Sequence, residues 1–139
     1  MPRKWSGEEA AVAYQKQLAP ALRRHRGQKR VYAILEDNDP TGYKSARGMD
    51  AKRKSKIEPI PFPTYSPDLN PCDYALWDEV ERRMDSSPAP AGETVDAYLA
   101  RLRRTALSLP EAVVRKMLAA MKHRAQEVYD RKGGHIPRD

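Results

Sequence analysis

The chain has 139 residues, room for one modest domain, and its 26 Lys and Arg against 19 Asp and Glu give a net charge of +7. A mean hydropathy of −0.84, with no apolar run near the ~18 residues of a membrane span and no signal-peptide pattern, predicts a soluble, intracellular protein with no membrane partner. The single cysteine, Cys72, excludes an internal disulfide, and His25, His123 and His135 are too scattered for a zinc site.

Ser6 and Glu9 have the spacing of a capping box and open a helix carried by Tyr14, Leu18, Ala21 and Leu22. Pro20 lacks a donor and clashes one turn back, which predicts a kink or break near Ala19. Arg23, Arg24, His25 and Arg26 read as a solvated helix end, where cations are favoured. Val31–Leu35 is continuously apolar and predicts a strand buried on both faces. Residues 38–56 predict a polar loop rich in lysine, with Gly42 and Gly48. A second short strand is expected at Ile57–Ile60, its hydrogen bonding limited by Pro59 and Pro61.

Pro61, Pro63, Pro67 and Pro71 stiffen the approach to a helix from about Pro71–Asp73 to Met84, with Trp77, Val80 and Met84 on one face. A linker follows at residues 86–92. The next helix, Thr94 to Leu107, is expected to turn Val95, Tyr98, Leu99 and Leu102 inward. The last starts at Pro110, carries Val113, Val114, Met117, Met121, Ala125 and Val128, and is stopped by a left-handed Gly133 or Gly134. The organisation is thus a core over residues 1–85, a linker over 86–92, and a helical part of the same domain over 93–139.

Charge is unevenly spread. Residues 1–30 hold eight basic and two acidic side chains, residues 61–90 two basic and six acidic. An acidic island in a basic chain suits a metal site flanked by a polyanion-binding surface, although net charge alone serves solubility equally well. Asp37 follows the end of the first strand, where ligands collect in open α/β sheets. Asp73 stands near a helix start, which favours negative charge. If the two strands run parallel, the Pro-stiffened turn can bring both carboxylates to one cleft to share Mg²⁺ or Mn²⁺. The plainer alternatives are that Asp37 starts an Asx-turn and Asp73 caps a helix.

Lys44, Arg47, Lys52, Arg53, Lys54 and Lys56 either grip phosphates or form a solvated loop. Tyr43 could stack on a base, whereas Tyr65 and Trp77 read as core or turn packing and Cys72 as a small buried filler.

The segments LEDND and YSPDLNPCDYALW resemble the second and third acidic blocks of mariner-like DDE transposases, and the closing run MKHRAQEVYDRKGGHI is similar to that family's last helix. The resemblance extends from about Val31 to Ile136. It implies an α/β, partial ribonuclease H-like fold of two short parallel strands with four or five helices, the first three strands missing. It also implies metal-dependent hydrolysis and strand transfer of DNA phosphodiesters, with Asp37 and Asp73 as the second and third catalytic carboxylates and metal ligands. Asp68 matches a structural position in the turn. The family's first catalytic Asp lies on an earlier strand, and no Asp precedes Asp37. The expectation is therefore an incomplete enzyme, inactive as this chain alone, nuclear in a eukaryote and otherwise cytoplasmic. The alternative is a non-catalytic basic DNA-binding or interaction protein derived from a transposase. An unpaired edge on the first strand would favour a homo-oligomer, or a second chain completing the sheet.

Overall fold

The helix opening at Ser6 passes through Pro20. In the computed structural model, which describes residues 5–136, α1 (Gly7–Val12) runs into a π-helical stretch (Ala13–Leu18) and on into α2 (Ala19–Arg26). The wide turn lets the Ala19 N–H reach the Tyr14 carbonyl just before Pro20, which has no N–H to give. The break expected near Ala19 is met by this local change of winding. At the N-terminus, the Ser6 hydroxyl oxygen accepts from the Glu8 N–H at 3.3 Å, and the hydroxyl itself donates to the Glu9 carboxylate.

β1 (Tyr32–Ile34) and β2 (Ile57–Pro59) pair in parallel, with Tyr32 opposite Ile57, Ala33 opposite Glu58 and Ile34 opposite Pro59. Pro59 takes the last paired position, and the Ile60 N–H closes the ladder on the Ile34 carbonyl at 2.7 Å. Burial alternates along both strands: Tyr32 and Ile57 face inward, Ala33 and Glu58 outward. The expected strand buried on both faces is therefore shorter and covered on one face. Among the described residues the sheet has two strands, and the core beneath it is Ala10, Tyr14, Tyr32, Ala51 and Ile57, with Leu18, Leu22 and Ile34 packed around them.

The segment read as a polar loop contains a helix, α3 (Ala46–Lys54), which forms the crossover that parallel strands require. Ser45 caps it, its Oγ accepting the Gly48 N–H at 3.0 Å. Its buried residues are Gly48, Ala51 and Lys52, so no apolar periodicity marks it in the sequence.

The chain divides after Tyr65 into two compact units. The second opens on a 3₁₀ turn (Pro67–Leu69), followed by a π-helical stretch (Cys72–Leu76) continuous with α4 (Trp77–Asp85), then α5 (Val95–Leu107) and α6 (Glu111–Asp130). Counting each continuous run once gives five helical runs among the described residues, within the expected four or five. Val80 and Met84 are buried as their spacing predicts, but Trp77 is 53% and Tyr65 96% exposed, contrary to the packing roles expected of them. The apolar face of α5 is also not inward: Val95 is 74%, Leu99 52% and Tyr98 44% exposed. The segment after α4 is tied down at Glu93, whose carboxylate takes two hydrogen bonds from Arg101 at 2.7 and 2.9 Å. α6 ends in a Schellman arrangement, Gly133 N–H to Val128 carbonyl and Lys132 N–H to Tyr129 carbonyl. The left-handed residue after its cap is Lys132 (φ 54°), one position earlier than the expected glycines, with Gly133 also at positive φ.

Candidate functional site

Asp37 is exposed three residues beyond the end of β1. Its Oδ1 accepts the Asp39 N–H at 3.1 Å, so the Asx-turn alternative describes one of its oxygens. It lines a cavity of about 260 Å³ with Glu36, Asn38, Lys44, Met49, Lys52 and Ile60, and an open hollow with Trp5, Asp39 and Tyr43. Asn38 anchors the neighbouring strand exit by donating to the Phe62 carbonyl at 3.0 Å. Two acidic neighbours that sequence reasoning passed over hold this corner in place.

The first is Asp39. Its carboxylate accepts from the Thr41 N–H and hydroxyl, the Gly42 N–H and the Trp5 indole N–H, at 2.8–3.2 Å. Desolvation alone would raise this carboxyl, but those donors outweigh it and hold the group down at about 2, from an ordinary 3.8. Because the folded value is the lower, the stabilisation is complete above about pH 4 and is lost as pH falls towards 2. Urea unfolding of wild type and Asp39→Asn between pH 5 and pH 2 should therefore show a shallower acid decline in the variant. Equal slopes would refute the assignment.

The second is Glu36. One of its oxygens accepts from the Tyr14 hydroxyl, the other from Lys52 Nζ, and that ammonium lies 5.4 Å from the Tyr14 ring centroid. Burial, then the bond to Glu36, push the Tyr14 hydroxyl well above the ordinary tyrosine range. Lys52 is thus a correction to the DNA-binding set: it is 2% exposed and committed to Glu36, because the face of α3 that carries it packs on the core.

The remaining cations of that set are exposed. Lys44 lines the Asp37 cavity. Arg47 lies 3.5 Å from Glu8, while Arg53 and Lys54 pair with Asp50 along α3 at 2.5 and 2.8 Å. Such surface pairs hold little energy and open readily to a phosphate. Lys56 sits in a left-handed conformation (φ 59°) between α3 and β2. Tyr43 is half-buried, edge-on to Trp5 at 5.4 Å and to Tyr14 at 6.2 Å, so as placed it packs inside the first unit.

In the second unit, the Pro-rich turn delivers Asp73 to the first turn of a helix. Asn70 is extended (ψ 114°), and its carbonyl accepts the Asp73 and Tyr74 N–H groups at 2.9 and 3.0 Å. Its side-chain oxygen accepts the Cys72 N–H at 3.0 Å. Capping is therefore the work of Asn70, with Pro71 suited to the first helical position. Asp73, half-buried, sits two residues further on, where the helix N-terminus favours its charge. Cys72 beside it is half-buried rather than enclosed; burial, then the Asp73 charge, push its thiol up, which makes a poor nucleophile. Asp68 is structural, its carboxylate accepting the Ile136 N–H at 3.2 Å with His135 at 3.4 Å.

Among the described residues no group of three or more His, Cys, Asp or Glu side chains is arranged to hold a metal ion. Carboxylate oxygens such as those of Asp37 and Asp73 suit a hard divalent cation. Mg²⁺ keeps waters and takes phosphate oxygens beside one or two carboxylates.

No protein-family model matches the chain. The Tcb1 transposase of Caenorhabditis briggsae is 32% identical over 104 residues, and the Tc1 transposase of Caenorhabditis elegans 31% identical over 104; each match covers 75% of this chain and 36% of the relative. The chain therefore spans about a third of the length of these curated relatives. Among solved structures, the catalytic domain of Mos1 mariner transposase superposes with a TM-score of 0.77 at 19% identity, covering 98% of this chain and 66% of that one. A structure of the same catalytic domain with raltegravir and Mn superposes with a TM-score of 0.76, again at 19% identity, over 98% of this chain and 68% of that one. The α/β arrangement is ribonuclease H-like, as the motifs implied. With LEDND and YSPDLNPCD on the elements described above, the chain belongs to the mariner/Tc1 family of DDE transposases.

Proposed function

We propose that the chain forms part of a catalytic domain for divalent-metal-dependent hydrolysis and strand transfer of DNA phosphodiesters, with Asp37 and Asp73 as metal ligands. The observation that carries this reading is the division of labour at the third acidic block, YSPDLNPCDYALW. Asn70 caps the helix, which leaves the Asp73 carboxylate free of that structural duty at a terminus that favours its charge. Bound Mg²⁺ or Mn²⁺ would activate a water or 3′-hydroxyl and stabilise the leaving oxygen. Lys44, in the Asp37 cavity, suits a scissile-strand phosphate, and Arg47, Arg53, Lys54 and Lys56 suit the flanking DNA backbone. Among the described residues β1 pairs with β2 alone, and its other edge is suited to a strand from a second copy or another chain. In a eukaryotic cell this activity belongs in the nucleus.

Calorimetric titration with Mn²⁺ and Mg²⁺ tests the reading. Binding should be lost in Asp73→Ala and in Asp37→Ala, while DNA affinity keeps a steep salt slope. The exposed basic run from Arg23 to Arg30 favours one rival, a non-catalytic DNA-binding protein. Metal affinity unchanged in both variants, with DNA binding intact, would establish the rival.

A further inference from the structure

We infer that Arg124 and Tyr74 are positioning residues for the Asp73 carboxylate, so that α6 sets the geometry of the third acidic block; this rests on the reading of Asp73 as a metal ligand. Asp73 stands between two tethers to one helix. On its N-terminal side, Arg124 Nε donates to the Asp68 carbonyl in the 3₁₀ turn at 2.6 Å. On its C-terminal side, the Tyr74 hydroxyl donates to the Met117 carbonyl, also at 2.6 Å. The two are coupled, since the Arg124 guanidinium lies 4.3 Å from the Tyr74 ring centroid. A third bond, from the Ile136 N–H to the Asp68 carboxylate, holds the same turn to the chain beyond α6.

Arg124 is 6% exposed, and its Nη2 is buried without a hydrogen-bond partner. A buried guanidinium with an unsatisfied nitrogen is a poor device for stability alone, and an apolar side chain of similar volume would pack there at lower cost. What the guanidinium adds is direction. A planar donor fixes both the carbonyl it reaches and the ring it covers, and Asp73 lies between the two. Groups that orient a ligand without touching the metal typically alter metal affinity about 10- to 100-fold.

The test measures Mn²⁺ affinity of the full chain by paramagnetic resonance, alongside thermal unfolding by circular dichroism, in wild type, Asp73→Ala, Arg124→Gln, Arg124→Lys and Tyr74→Phe. Arg124→Gln and Tyr74→Phe should weaken Mn²⁺ binding about 10- to 100-fold. Arg124→Lys, which keeps a donor for Asp68 but not the planar stack, should recover part of that loss. Tyr74→Phe removes a single oxygen and so carries the test if Arg124→Gln fails to fold. Variants that melt earlier yet bind Mn²⁺ within twofold of wild type would overturn the positioning role while Asp73→Ala still abolishes binding. An Asp73→Ala chain that binds normally would instead overturn the ligand assignment, and the positioning role with it.

Discussion

Replacing Lys52 by Ala is expected to destabilise the chain by about 3–5 kcal/mol, the range for removing one partner of a buried ion pair. Lys52 is 2% exposed, and the Glu36 side chain it meets is only 11% exposed. In the variant the Glu36 carboxylate would keep the Tyr14 hydroxyl as a donor but lose its cation. A charge left buried without its counter-charge pays the desolvation penalty with no Coulombic return. Replacing both partners is a different experiment. In Lys52→Met with Glu36→Gln no charge remains, the methionine fills the lysine stem's volume, and the Gln carbonyl can still accept from Tyr14. The double variant should therefore recover most of the loss, a coupling that a double-mutant cycle in urea at neutral pH measures directly. A single-variant loss below about 1 kcal/mol would place the pair in the surface class and refute its burial. Glu36 immediately precedes Asp37, so the same variant should also weaken divalent-metal binding if Asp37 is a ligand.

How legible these features are in the sequence depends on what kind of signal each leaves. The first strand is visible because Val31–Leu35 is an apolar island in polar chain, and the helix start near Pro71–Asp73 is visible because a proline suits the first helical turn, whereas the cap itself, Asn70 rather than Asp73, shows only in the structure. α3 is invisible for the opposite reason. Its inward face is Gly48, Ala51 and Lys52, and a buried lysine cannot be told from a solvated one until its partner, sixteen residues upstream, is known. The reverse error occurs on α5, where helical spacing of Val95, Tyr98 and Leu99 suggests a core face that the structure leaves exposed. Periodicity reports which residues share a face, not what covers it. Tyr65 and Trp77 mislead similarly, since aromatic identity favours burial on average but does not ensure it. Arg124 is the hardest case, because its two contacts lie far away in sequence and no spacing rule encodes them.

Gly48→Ala should cost about 3 kcal/mol, at the upper end of ordinary overpacking. A Cβ at Gly48 would run into the Gly42 carbonyl oxygen and come within 2.9 Å of that of Tyr43. Both obstacles are backbone, so relief requires the turn between β1 and α3 to move. That turn has little slack. Ser45 Oγ both accepts the Gly48 N–H at 3.0 Å and donates to the Gly42 carbonyl at 2.6 Å, while Gly42 itself lies against the Trp5 ring. Gly7→Ala is the informative control. Its first obstacle is the Ser45 side chain, which can rotate away, so the expected loss is about 1 kcal/mol, the worth of the α3 cap. The two variants differ again in acid. Displacing the 39–43 turn strips Asp39 of its Thr41 and Gly42 donors, so Gly48→Ala should lose part of the stability change between pH 4 and pH 2 expected of wild type. Gly7→Ala should keep it. If Gly48→Ala proves no more harmful than Gly7→Ala in urea, and its acid limb matches wild type, the close approach of α3 to the turn behind Asp37 is wrong.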